Sequence, residues 1–220
     1  RIPLSTLQSG LILTGVVLLG LALLLLIWPG LILRFFGWLG SFFRLLPTDF
    51  IATCRALHGW PHRCVDGWLL AGMVLIAVLL RLPLLDRPMI HDEAYTVLTW
   101  AKGPLRYLLE DYHLPNNHIF HTLLVSFAYH VFGSQPWSVR LPAFIAGLLL
   151  IPAGYGLARG WYGRVAGLVA AGVIALAPVL ADYATFARGY PLFMLFSVLI
   201  FWLAARLMRR NNRFEWLLLC

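Results

Sequence analysis

The chain has 220 residues, of which 61% are hydrophobic and only 12% are charged. A soluble globular domain has roughly 45–50% apolar and about 25% charged residues. A protein of this length has too little interior to bury so large an apolar excess, so lipid must solvate part of it. Composition therefore excludes a soluble globule, a disordered chain and a collagen-like protein. It predicts an all-α, polytopic transmembrane protein.

The net charge is +8, from 17 basic and 9 acidic residues. In a membrane protein such an excess belongs to the cytoplasmic loops, so it does not point to a nucleic-acid partner. The chain begins with Arg1 and ends within the apolar run 216–220, and we therefore expect it to be a piece of a longer protein.

Runs of about 20 apolar residues can cross the ~30 Å hydrocarbon core of a bilayer as helices. The predicted spans are Leu11–Trp28, Trp68–Leu85, Ala143–Leu157, Val165–Ala181 and Pro191–Leu207, and a further span is predicted to begin near Phe214. Two other apolar segments are predicted to lie in the membrane interface. Gly30–Leu46 carries two arginines among aromatic residues, and His118–Phe132 holds three histidines, which are costly at the bilayer centre.

The basic residues after the Pro191–Leu207 span set the predicted orientation. Arg206 lies in the last turn of this span and Arg209, Arg210 and Arg213 come shortly after it, so its end is predicted to be cytoplasmic. Counting back through the spans places residues 86–140 and 182–190 on the external face. This count is consistent only if His118–Phe132 does not cross the membrane, and we expect that helix to lie along the outer surface.

The predicted external segment 86–140 contains five of the nine acidic residues and five of the seven histidines. A connector between two spans needs only a few polar residues, and long loops are usually functional or disordered. This one is too rich in apolar and aromatic residues to be disordered. Its composition therefore predicts a functional site at the membrane surface.

Asp92 and Glu93 directly follow the second predicted span. A carboxylate in this place can act as a general base towards an incoming nucleophile, or as a metal ligand. The alternative is that the pair stabilises the amino end of a helix predicted at Ala94–Ala101, where acidic side chains are favoured. Capping and catalysis do not exclude each other, and both interpretations stay open.

A second cluster is formed by polar side chains around Pro115. Its members are Asp111, His113, Asn117, His118 and His121. Asparagine is a good helix cap, so Asn116 or Asn117 is predicted to begin the helix that follows. Because His118 and His121 are one helical turn apart, both can face one ligand or a metal, with Asp92 as a third weak candidate. Solvated interfacial histidines are the alternative.

A third cluster lies in the predicted external segment 182–190, where Arg188 is the only basic residue. A guanidinium matches a pair of phosphate oxygens, and this position lies where a lipid phosphate would be found. The alternative is an arginine that extends from the end of a span to the lipid headgroups.

The order of these motifs resembles the GT-C glycosyltransferases. They are R-L-P-L-L-D, H-D-E-A, D-Y-H-L-P-N-N-H-I-F-H-T-L-L, S-V-R-L-P-A-F-I-A-G and Y-A-T-F-A-R-G-Y-P-L. Within that superfamily the chain is most similar to the bacterial relatives of protein O-mannosyltransferases, glycosyltransferase family 39. The resemblance covers about residues 68–213. It implies a multi-pass protein of the bacterial cytoplasmic (inner) membrane, with residues 68–220 as the amino-terminal part of a catalytic module and residues 1–67 as an additional segment.

The resemblance also implies roles for individual residues. Asp92 corresponds to the catalytic base, with Glu93 beside it. The donor sugar and phosphate are implied to lie near Asp111, His113, Asn117, His118, Arg188 and Tyr190. Asn116 and Asn117 stand where relatives often have Pro-Leu or Lys-Pro-Pro, which leaves the donor sugar open. Nothing in the sequence decides whether a divalent metal takes part.

The resemblance implies a polyprenyl-phosphate-linked sugar as donor and a lipid, a protein or a glycan as acceptor, handled among membrane lipids. Inverting transfer needs one carboxylate to take the proton of the acceptor, and an arginine or a metal to stabilise the departing phosphate. A lipid or solute transporter or flippase is one alternative, although such proteins place ionisable residues near the midplane of their spans. A non-catalytic assembly subunit is the other.

Overall fold

A computed structural model describes residues 14–17, 29–58, 64–114, 116–209 and 212–220. The helices in these ranges are α1 Pro29–His58, α2 Cys64–Arg81, α3 His91–Thr96, α4 Leu105–Glu110, α5 Ile119–Phe132, α6 Pro136–Tyr162, α7 Arg164–Leu176, α8 Pro178–Ala184, α9 Tyr190–Leu207 and α10 Arg213–Leu219. A 3₁₀ turn, Leu82–Leu84, extends α2, and a π-helical turn, Val97–Ala101, extends α3. No strand occurs in the described ranges, so the predicted all-α class is confirmed.

Three described helical segments are long and apolar enough to cross a membrane, which confirms the predicted polytopic architecture. They are Val65–Leu84, Pro136–Tyr162 and Tyr190–Leu207. Helix α5 has 14 residues, so at about 1.5 Å per residue it is too short to span the bilayer. Its position along the outer surface, and that of Gly30–Leu46 within α1, stay predictions. The predicted span Leu11–Trp28 lies largely outside the described residues.

The predicted span Val165–Ala181 is not one straight helix. Helix α7 ends at Leu176, and α8 begins at Pro178 with a bend of 62° between them. A proline has no backbone N–H and its ring collides with the preceding helical turn, so it breaks the helix. The pair forms a fourth span only if both arms are counted together. This bend sets the direction in which the chain continues to residues 185–189.

The chain divides into two compact units, of which the smaller contains α1 as far as Arg55 together with residues 212–218. Within it, the Asp49 carboxylate accepts a 2.9 Å hydrogen bond from the backbone N–H of Arg213. The hydroxyl of Thr53 donates to the Glu215 carboxylate over 3.2 Å. These polar contacts join α1 to α10, with the rings of Phe50 and Phe214 packed edge to face beside them.

The larger unit contains α2 to α9 and is held together by close helix packing. Small residues allow this, because a Cβ added at Gly147 in α6 would lie 2.5 Å from the Cβ of Ala184 in α8. The fully buried Arg81 guanidinium donates hydrogen bonds of 3.1 Å to the Gly147 carbonyl and 2.8 Å to the Ile174 carbonyl. Ile174 lies in the last turn of α7, where carbonyls lack helical partners. Arg81 therefore stabilises the bend before α8.

Candidate active site

Asp92 and Glu93 are adjacent in the first turn of α3 and have opposite surroundings. The Glu93 side chain is 0% exposed, and that of Asp92 is 49% exposed. Helix α3 begins at His91, three residues before the predicted start, so both carboxylates lie inside the first turn. Glu93 accepts a 3.1 Å hydrogen bond from the Ile90 backbone N–H at the start of this helix. The capping interpretation is thus confirmed for Glu93.

Both oxygens of the Glu93 carboxylate are bound by Arg140 of α6. The Arg140 Nε donates to Oε1 over 2.9 Å and its Nη2 donates to Oε2 over 2.7 Å. The same carboxylate accepts a hydrogen bond from the backbone N–H of Ala187. Glu93 therefore connects α3, α6 and the segment that carries Arg188. Both of its oxygens already accept hydrogen bonds from groups of the protein.

Arg140 also binds backbone carbonyls of the segment that precedes α3. Its Nη1 donates 2.8 Å hydrogen bonds to the carbonyls of Leu85 and Arg87, and Nη2 donates to that of Pro88 over 3.3 Å. Arg140 was not among the predicted site residues. The signal was present, because S-V-R-L-P places an arginine in the first turns of an apolar helix, where a buried charge requires a partner.

Arg188 brings together side chains from three parts of the chain. Its Nη1 lies 3.3 Å from the Asp92 Oδ2 and donates a 2.9 Å hydrogen bond to the Asn116 Oδ1. Its Nη2 donates to the Tyr190 hydroxyl over 3.3 Å, and the guanidinium lies over the Tyr190 ring. Arg188 is only 9% exposed. The predicted base and the predicted phosphate-binding arginine are therefore in direct contact.

The amino end of α5 differs from the prediction that Asn116 or Asn117 caps it. The helix begins at Ile119, and His118 precedes it without a side-chain cap. The buried Asn117 side chain instead donates 2.9 Å hydrogen bonds to the carbonyls of Leu108 and Asp111. Asn116 is the acceptor for Arg188. Capping was the wrong prediction here because both amides have partners in other segments.

Four side-chain atoms at the beginning of α5 are buried without a hydrogen-bond partner. They are Asn117 Oδ1, His118 Nε2, His121 Nε2 and Thr122 Oγ1. The His118 ring packs against the backbone of Gly189, where an added Cβ would lie 2.9 Å from the His118 Cγ, and against the Tyr190 ring. Burial, and secondarily the charge of Arg188, lowers the pKa of His118. This neutral, polar face lies next to Arg188.

His121 makes the stability of the protein depend on pH. Burial, followed by the nearby His118 and Arg188, lowers its pKa from 6.5 to about 3. Because the unfolded chain binds a proton at His121 below pH 6.5 and the folded chain does not, stability falls as the pH drops from 6.5 towards 3. The loss from this residue is about 1.4 kcal/mol one pH unit below the unfolded pKa.

We expect His121→Gln to remove this part of the pH dependence. The free energy of unfolding is measured in detergent at about pH 7.5 and about pH 5.5. His130→Gln is the matched control, because His130 is an exposed histidine of the same helix. A pH dependence in His121→Gln equal to that of the unmodified protein would contradict the assignment.

Asp111 and His113 belong to a separate polar group with Tyr95 and Trp100. The His113 Nδ1 lies 2.7 Å from the Asp111 Oδ1, and its Nε2 lies 2.9 Å from the Tyr95 hydroxyl. The Trp100 Nε1 donates to the Asp111 Oδ2 over 2.8 Å. The hydrogen bond with His113, supported by that from Trp100, lowers the Asp111 pKa to about 2. In the described residues, neither side chain contacts Arg188 by a hydrogen bond or ion pair.

Within the part of the chain that the structure describes, no three His, Cys, Asp or Glu side chains are grouped as ligands for a metal ion. The weak candidates Asp92, His118 and His121 are not brought together. Asp92 pairs with Arg188 instead. A cation is also disfavoured beside this guanidinium by charge repulsion.

Residues 116–220, a little under half of the chain, match the family model of the dolichyl-phosphate-mannose-protein mannosyltransferases. No curated protein and no solved structure is significantly similar to the chain. The matched residues include Asn117, His118, Arg140, Arg188 and Tyr190. This similarity supports a membrane glycosyltransferase of the GT-C type, the class that the order of the motifs implied. Asp92 and Glu93 precede the matched segment.

Proposed function

We propose that the protein transfers a sugar from a polyprenyl-phosphate donor to an acceptor on the external face of the membrane, by inverting transfer with Asp92 as general base. The contact between Asp92 and Arg188 carries this proposal. It pairs a half-exposed carboxylate with a nearly buried guanidinium over 3.3 Å. A base for the acceptor and a cation for the phosphate must lie on either side of one reacting carbon, and these two groups are close enough for that.

The transfer follows from the chemistry of these two groups. The acceptor hydroxyl oxygen attacks the anomeric carbon of the sugar while Asp92 takes the hydroxyl proton. The bond between that carbon and the phosphate oxygen breaks, and its electron pair stays on the phosphate. Arg188 stabilises the negative charge that collects there. Because one carboxylate acts and no covalent sugar-enzyme intermediate forms, the configuration at the anomeric carbon inverts.

The surroundings of Arg188 support a phosphate at this position. The first amides of a helix have no helical acceptors and favour an anion, and the amino end of α5 adjoins Arg188 through Asn116 and His118. A neutral His118 keeps an N–H donor without adding charge. The Asp92 carboxylate pairs with the Nη1 of Arg188. A bound phosphate would compete for Arg188 and release Asp92 to act as a base.

An apolar groove supports a lipid-linked donor. A cavity of about 310 Å³ lies between α5, α6 and α9, and one of about 240 Å³ continues along α6 and α9. Both are lined by Leu149 and Leu195, and the first also by Leu192, close to Tyr190 in the first turn of α9. A polyprenyl chain in this groove would have its phosphate end near Arg188.

In this proposal Glu93 is a positioning residue and does not contact the substrate. Its two oxygens are bound by Arg140 and by the backbone N–H of Ala187, so it has no lone pair directed at a substrate. Through these bonds it fixes α3, which carries Asp92, relative to the segment that carries Arg188.

We expect Arg188→Gln to weaken binding of a polyprenyl phosphate by about 10- to 100-fold, because a hydrogen-bonded charge contributes roughly 1.5–3 kcal/mol. Binding of the labelled lipid phosphate is measured with the protein in nanodiscs. Arg87→Gln is the matched control, since Arg87 pairs with Asp182 over 3.5 Å and is 53% exposed. Equal losses in the two variants, or no loss in Arg188→Gln, would contradict the assigned phosphate position.

A further inference from the structure

A chain of three hydrogen-bonded side chains lies beside Asp92 and has no part in the phosphate site. Tyr95, His113 and Asp111 are joined in that order by contacts of 2.9 Å and 2.7 Å. Tyr95 is in the same helix as Asp92, one turn later, so the two side chains project from the same face of α3. The His113 side chain is 46% exposed, so the chain of contacts reaches the surface.

The ionised carboxylate of Asp111 sets the direction of its hydrogen bond with His113. Asp111 is held ionised by Trp100 and His113, so it accepts from the His113 Nδ1–H. In the neutral form of His113 that donates from Nδ1, the Nε2 carries no proton and accepts the hydrogen bond of the Tyr95 hydroxyl. The lone pairs of the Tyr95 oxygen are left to accept a hydrogen bond from outside. Linked hydrogen bonds polarise one another, so this oxygen becomes a better acceptor than that of an isolated tyrosine.

The same charges disfavour a phosphate at this position. The Asp111 carboxylate repels an anion, and the described residues of this group supply no cation to offset it. A neutral group that donates a hydrogen bond fits better. An acceptor whose nucleophilic hydroxyl is within reach of Asp92 can offer such a group from a neighbouring O–H or N–H.

We propose that Tyr95 binds an O–H or N–H group of the acceptor next to its nucleophilic hydroxyl and thereby directs that hydroxyl towards Asp92, with His113 and Asp111 as positioning residues behind it. This inference rests on the proposed function and assigns the residues of the same site that bind the acceptor. It assigns Asp111 and His113 to the acceptor, whereas the family resemblance implied a place near the donor. That neighbouring group donates a hydrogen bond to the Tyr95 oxygen, so the single proton of the nucleophilic hydroxyl stays available to Asp92 while the hydroxyl oxygen faces the sugar.

The test separates transfer to an acceptor from hydrolysis of the donor by water. Octyl glucoside and a threonine-containing peptide are supplied as hydroxyl acceptors to the protein in membranes with a labelled polyprenyl-phosphate sugar. We expect Tyr95→Phe to raise the KM for the accepted probe about 5- to 10-fold, as for the loss of one hydrogen bond. Donor hydrolysis and donor binding should stay unchanged, because the aromatic ring is kept. Tyr112→Phe is the matched control, since Tyr112 is an exposed tyrosine of the same segment.

A second variant keeps the test valid if Tyr95→Phe folds poorly. His113→Gln retains Tyr95 but breaks the hydrogen-bonded connection from Tyr95 through His113 to Asp111. We expect it to raise the same KM, by less than Tyr95→Phe does. A merely structural role would lower donor binding and hydrolysis together with transfer, and that result overturns the inference. An unchanged KM in both variants, or transfer to neither probe while the donor is hydrolysed, also overturns it. Asp92→Asn is assayed alongside: full activity there contradicts the proposed function itself.

Discussion

Replacing Asp92 by asparagine is expected to slow sugar transfer by about 10²- to 10⁴-fold, the usual contribution of a general base. Asparagine has nearly the same shape but cannot accept the proton of the acceptor hydroxyl. Because the side chain is 49% exposed and its ion pair with Arg188 is partly solvated, folding should change little. Initial rates of transfer from a labelled polyprenyl-phosphate sugar measure the effect, with binding of the lipid phosphate measured in parallel.

Asp182→Asn is the matched control for this variant. Asp182 is also half-exposed and also pairs with an arginine, Arg87, over 3.5 Å. It lacks contact with Arg188 among the contacts that the described residues make. The account predicts near-normal transfer in Asp182→Asn. A similar loss in both variants would show that surface charge, rather than a base at Asp92, determines the rate.

Breaking the Glu93–Arg140 pair is expected to destabilise the protein by about 3–5 kcal/mol, because the remaining charge stays buried without its partner. Both side chains are fully buried. Glu93→Gln and Arg140→Met each break the pair, and chemical denaturation in detergent measures the free energy of unfolding. Glu110→Gln is the control, because Glu110 forms an exposed ion pair with Arg106 in α4 that is worth only about 0–1 kcal/mol.

The double variant separates a structural from a catalytic role of Glu93. Removing both charges takes away the unpaired ion, so Glu93→Gln with Arg140→Met should be more stable than the sum of the single changes implies. Transfer should remain low in the double variant, because α3 and the segment near Ala187 lose their connection. Strictly additive losses of stability would contradict the assignment of a direct buried pair.

The general architecture could be predicted from the sequence because lipid imposes a simple rule on it. Apolar runs of bilayer length must be helices, and Trp68–Leu85 and Pro191–Leu207 correspond closely to α2 and α9. The break before Pro178 was missed within the run Val165–Ala181, although a proline in an apolar run is a signal for it. Hydrophobicity alone therefore located the membrane segments but not their internal bends.

The site was predictable only in part, because residue type does not show which partners the fold supplies. Asp92 and Glu93 are neighbours in sequence, yet only the structure shows that one is half-exposed and the other enclosed by Arg140. Asn117 has the sequence signature of a helix cap but binds backbone carbonyls of the preceding segment. The role proposed for Tyr95 has no signal in the sequence, because it depends on a contact with His113, 18 residues away.

The family similarity and the geometry support different parts of the account. The matched residues 116–220 include Arg188, which is proposed to hold the phosphate, and Arg140. The proposed base Asp92 lies before this segment, so its role depends on the contact with Arg188 and on its exposure. The contact between Asp92 and Arg188 therefore joins a residue of the matched segment to one that precedes it.

The most direct test follows the donor itself. Membranes that contain the protein are supplied with a polyprenyl-phosphate sugar labelled in both the sugar and the lipid, and the products are separated and analysed by NMR. The account predicts equal amounts of free polyprenyl phosphate and of glycosylated acceptor, with inverted configuration at the anomeric carbon. A donor that stays intact in the presence of folded protein, or a product with retained configuration, would contradict it.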